Sequence, residues 1–70
     1  MAANNRLKAA RVLRGMTQLQ LAEKVGLKEI EISRFETGRA QPDPDTRRRI
    51  AEILQKAPYE IFDTEGRSSL

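Results

Sequence analysis

Seventy residues with thirteen Lys and Arg against ten Asp and Glu make one small domain of net charge +3, because a chain this short buries only about 60% of the surface its unfolded form exposes. With no cysteine and no histidine, a disulfide framework, thiolate chemistry and a structural zinc site fall away, and the fold must rest on packing. No apolar run approaches the roughly 18–20 residues of a membrane span, and Met1-Ala2-Ala3-Asn4-Asn5 lacks the basic and apolar regions of a signal peptide, which predicts a cytoplasmic protein with no membrane partner.

The charge is unevenly placed. Residues 1–39 hold eight basic and four acidic side chains, whereas residues 40–70 hold five and six, so the first half can face a polyanion. Hydrophobic residues make up 39% of the chain but aromatic ones only 4%. A core of Leu, Ile, Val and Ala suits packed helices better than strands.

Asn4 or Asn5 can cap a first helix running to about Arg14, with Leu7, Ala10 and Val12 or Leu13 as an imperfect inward stripe and Gly15 at the left-handed stop. Thr17-Gln18-Leu19-Gln20 fits a capping box, in which the Thr17 hydroxyl accepts from the backbone three residues on and Gln20 reaches back. The second helix that starts there carries Leu21, Ala22 and Val25 inward and stops at Gly26. At about two turns it is too short to stand without tertiary contacts.

A third helix runs from about Lys28 or Glu29 to Thr37, with Ile32 and Phe35 on one side and Gly38 as terminator. Asp43-Pro44-Asp45 reads as N-cap, first-turn proline and first-turn acid. It opens a fourth helix whose Ile50, Ala51, Ile53 and Leu54 are apolar. Ala57-Pro58 begins a last helical turn, Tyr59 to Phe62, that closes the core. Residues 63–70 are polar and aperiodic, which predicts a disordered tail after a domain of residues 1–62.

Residues 17–38, Thr-Gln-Leu-Gln-Leu-Ala-Glu-Lys-Val-Gly-Leu-Lys-Glu-Ile-Glu-Ile-Ser-Arg-Phe-Glu-Thr-Gly, resemble the helix-turn-helix of the lambda-repressor-like family. Thr17-Gln18, Leu21-Ala22, Gly26, Ile32-Ser33, Glu36 and Gly38 stand at its signature positions. Arg11, Pro42, Ile50-Ala51, Leu54 and Ile61 extend the resemblance over about residues 5–62. It implies a compact, all-α, five-helix domain.

The resemblance also implies that the third helix reads base edges with Lys28, Glu29, Ile30 and Arg34. Each has its chemistry: the Arg34 fork matches guanine O6 and N7, Ile30 suits a thymine methyl, Glu29 can accept from cytosine N4, and Lys28 serves a base or a phosphate. Thr17 and Gln18 on one side, with Thr37, Arg39 and Gln41 on the other, would hold the phosphates that fix register. Arg11 and Glu36 would form an ion pair tying the first helix to the third. Glu31 lies in the first turn, where a carboxylate gains from the helix dipole without touching DNA.

Three departures from the family pattern have consequences. Lys28 replaces the usual Ser or Thr cap, which predicts a weakened or shifted start to the third helix. Arg47 and Lys56 stand at commonly apolar positions, so their stems must lie over apolar surface. Arg47-Arg48-Arg49 spreads over about 200° of helix circumference and reads mostly as solvated surface. Leu19 and Tyr59 are candidates for a dimer contact.

The function implied is a sequence-specific regulator of double-stranded DNA, usually a repressor, bacterial or phage-encoded and homodimeric on DNA. The rival is a protein-interaction module on the same fold, such as an antitoxin or transcription bridging factor, with Ile30 and the two acids beside it meeting a protein partner. Without His, Cys, a Gly-rich phosphate loop or a carboxylate pair, no catalysis, cofactor or metal is expected.

Overall fold

The computed structural model describes residues 3–62, and the tail expected over 63–70 lies outside them. Five helices follow in order: α1 Asn5–Leu13, α2 Gln18–Val25, α3 Glu29–Thr37, α4 Pro44–Leu54 and α5 Pro58–Ile61. No strand occurs among the described residues, so the all-α, five-helix class expected from composition and motif holds.

Local chemistry explains most of the helix starts. The Asn4 side chain accepts from the Leu7 amide at 3.0 Å, and the Thr17 box closes both ways, Gln20 N–H to Thr17 Oγ1 at 3.0 Å and Thr17 N–H to Gln20 Oε1 at 2.8 Å. Asp43 accepts from the Thr46 amide at 2.8 Å, with Pro44 in the first turn where a missing N–H costs nothing. That bond to Thr46 holds the Asp43 carboxyl below its usual range.

The start of α3 corrects one expectation. Lys28 makes no side-chain cap, yet the helix begins at Glu29 without a shift, because Glu31 Oε1 accepts the Lys28 amide at 2.9 Å. One half of a capping box therefore suffices. Glu31 acts through this specific bond as well as through the dipole.

Leu7, Leu21, Ile32, Ile50, Leu54 and Ile61 are fully buried, and burial of such a side chain contributes about 1.5–3 kcal/mol. Around them pack Ala22, Val25, Phe35, Ala51 and Phe62, with α2 lying against both α3 and α4, and α5 closing on α1 and α4. The α1 stripe differs from the one expected. Val12 and Leu13 are 57% and 76% exposed, since the inward positions that follow Leu7 are Ala10 and Arg11 at helical spacing.

Arg14, exposed at the C-terminal end of α1, is partnered all the same. Arg14 donates from Nε to the Leu54 carbonyl at 3.2 Å and from Nη2 to Gln55 Oε1 at 2.7 Å, tying α1 to the end of α4. In the arginine run of α4, Arg48 and Arg49 are exposed, in keeping with a mostly solvated surface, and Arg47 is the exception. Arg48 pairs with Asp45 at the surface, Arg49 Nη1 donates to the Val25 carbonyl at 3.1 Å, and Arg47 is half-buried with its Nε buried and unpartnered.

Candidate nucleic-acid interface

α2, a short turn and α3 form the frame of the site. The turn depends on Gly26, whose φ of +84° is the left-handed conformation that a Cβ disfavours. From there the Gly26 and Leu27 amides both return to the Ala22 carbonyl, at 2.9 and 2.8 Å. These bonds satisfy the end of α2 within the turn that launches α3.

α3 is two-sided. Ile32, Phe35 and Glu36 are buried, while Ile30, Arg34 and Thr37 are exposed. At 100° per residue the exposed three lie within about 60° of one another, on the side opposite the buried three. Glu29 stands about 100° from Ile30 and borders this outer face, and Lys28 is exposed at its N-terminal end. The Arg34 guanidinium has no hydrogen-bond or ion-pair partner among the described residues.

A buried polar knot holds α3 in that orientation. Arg11 Nε and Nη2 donate to Glu36 Oε2 and Oε1 at 2.6 and 3.1 Å. Arg11 Nη1 donates to the Met16 carbonyl at 2.8 Å, and Gln18 Nε2 reaches Glu36 Oε1 at 3.0 Å. The Glu36 carboxylate and the Arg11 guanidinium together join α1, the α1–α2 turn, α2 and α3, and every donor aimed at the carboxylate is satisfied, which is the condition under which a buried charge is tolerable.

The expected backbone-contact residues divide by how free their donors are. Thr17 accepts from Gln20 through its oxygen, so its own hydroxyl proton remains available. Gln18 spends one Nε2 hydrogen on Glu36 and retains the second. Thr37, the last residue of α3, already spends its hydroxyl: it donates to the Ser33 carbonyl at 3.0 Å, because a helical threonine readily bonds back one turn. Arg39 and Gln41 are exposed beyond α3, on the side of the helix end opposite Thr17 and Gln18 in sequence.

Sequence reasoning missed the Gln18–Glu36 contact, because eighteen positions separate the two residues and no local pattern couples them. Among the described residues no group of three or more acidic side chains gathers as a metal site, and no helix is long and apolar enough to cross a membrane.

Comparison with known proteins converges on the same frame. The helix-turn-helix family matches residues 7–61. Among solved structures, the restriction-modification controller protein C.AhdI from Aeromonas hydrophila is similar, with 27% identity and a TM-score of 0.78 over 84% of this chain and 86% of that one. No curated protein sequence matches.

Proposed function

This chain belongs to the lambda-repressor-like helix-turn-helix family and is a DNA-binding transcriptional regulator; from that premise we propose that it reads duplex DNA sequence-specifically by laying α3 in the major groove. Lys28, Glu29, Ile30 and Arg34 face the base edges. Thr17 and Gln18 hold phosphates at the start of α2, and Thr37, Arg39 and Gln41 hold them beyond α3. Thr37 does so once its hydroxyl turns from the Ser33 carbonyl.

The observation that carries this reading is the outer face of α3, where an exposed Ile30 and an Arg34 guanidinium without a partner among the described residues stand on a helix whose other side is locked by Ile32, Phe35 and Glu36. A rod fixed on one side and unspent on the other suits a groove about 12 Å wide. The helical bundle within residues 1–62 serves as the DNA-binding domain. Its cellular place is the bacterial cytoplasm, beside a host or phage genome.

We propose further that it acts as a homodimer and represses by covering promoter DNA. Leu13 on α1, 76% exposed, lines a cleft together with Arg6, Lys56 and Glu60, and Tyr59 on α5 is 69% exposed. Such a face, with both charge signs, can meet a second copy of itself across a twofold axis. Two copies would then meet half-sites about 34–36 Å apart.

Titration of the chain against random-sequence and selected duplexes at two salt concentrations tests the reading. The selected duplex should bind more tightly, and both affinities should fall steeply with salt as counterions are released. Equal affinity for both duplexes, unmoved by salt, would overturn it.

A further inference from the structure

Ile30 and Arg34 are four residues apart on α3, which sets their Cβ atoms about 5–6 Å from each other. Ile30 is 52% exposed. The acid closest to Arg34 in helical spacing on this side is Glu31, and its Oε1 is turned to the Lys28 amide at 2.9 Å. An aliphatic surface and an uncommitted guanidinium fork therefore adjoin on the outer face.

In the major groove the C5 methyl marks thymine, while guanine offers O6 and N7 to a bidentate arginine. Bases along one strand rise by about 3.4 Å, so two side chains about 5–6 Å apart can address neighbouring positions. Resting on the groove reading above, we infer that Ile30 and Arg34 together read a 5-methylpyrimidine followed by guanine, so that the protein senses methylation at cytosine C5. A 5-methylcytosine carries its methyl where thymine does. TpG and 5-methyl-CpG thus present the same apolar contact to Ile30 and the same guanine to Arg34, and unmethylated CpG lacks the first.

The test uses the full chain. Duplexes enriched from a random pool are resynthesised with thymine, uracil, 5-methylcytosine or cytosine placed 5′ to the guanine that the Arg34→Ala variant ceases to prefer. Thymine against uracil, and 5-methylcytosine against cytosine, each differ by the methyl alone. One methyl buried is worth about 0.8 kcal/mol, or about fourfold in affinity.

The expected result is a preference of about that size in both comparisons, on the wild-type chain, that disappears in Ile30→Ala. Thermal unfolding of the variant, whose altered side chain is exposed, should match wild type and shows that the loss is one of contact. Equal affinities within each pair, a preference that survives Ile30→Ala, or enriched duplexes without a pyrimidine–guanine step would overturn this inference alone. A pool that shows no enrichment would overturn the sequence-reading proposal beneath it.

Discussion

Gln18 Nε2 lies 3.0 Å from Glu36 Oε1, so the first residue of α2 is bound to the carboxylate that Arg11 grips with two nitrogens. The side chain proposed to touch a phosphate is thereby tied to the helix proposed to read bases. Stability and the proposed recognition would share one buried acid.

Glu36→Ala should unfold much of the population. Removing one partner of a buried pair strands the other and costs about 3–5 kcal/mol, comparable to the roughly 3–5 kcal/mol that the core of so small a domain supplies. Urea denaturation measures it. A double replacement, Arg11→Met with Glu36→Leu, should recover a large part of the loss, because no charge is then left buried. An unchanged midpoint in Glu36→Ala would refute the knot's structural weight.

Gln55 offers a gain. It ends α4 at φ +59°, a conformation that costs a residue with a Cβ about 1–2 kcal/mol. Gln55→Gly should remove most of that strain while losing only the exposed Arg14 contact to Oε1. The net expectation is a rise of about 0.5–1 kcal/mol, seen as a higher thermal midpoint.

How much of this was legible in the sequence depends on how local the encoding is. Thr17 with Gln20, Asp43 with Pro44, and Gly26 each announce an element end within four residues, and each stands where the sequence predicts. The α1 stripe failed at Val12 and Leu13, because Arg11 takes an inward position for a partner 25 residues away. The same distance problem hid Arg49, whose contact with the Val25 carbonyl follows from how α4 lies on α2. On the outer face of α3, the azimuths of Ile30 and Arg34 are readable from helical period, but the internal commitment of the Thr37 hydroxyl is not.

Asp43 confers a pH dependence. Its carboxyl is held low by the hydrogen bond from Thr46, so its contribution is full above the unfolded value of about 3.9 and is lost as pH falls through the lower folded value. Acid titration of stability should show wild type losing more than Asp43→Asn over that window. Parallel curves would show that the cap charge has no such part.

Arg39→Gln and Arg34→Ala should fail in different ways. Losing the proposed phosphate contact should weaken all duplexes alike and lower the salt slope by about 0.9 per site. Losing Arg34 should cost about 1–3 kcal/mol at one guanine position and leave other positions unchanged. Affinities of both variants on a panel of single-base duplexes at several salt concentrations separate the two patterns.

The claim on which all else depends is that the outer side of α3 meets the bases, and heteronuclear NMR of the labelled chain titrated with a selected duplex addresses it directly. The account predicts that the Ile30 methyl and Arg34 side-chain signals shift most, with Ile32 and Leu54 in the core nearly still. Signals of Ile30 and Arg34 that stay in place while the duplex binds elsewhere would contradict it.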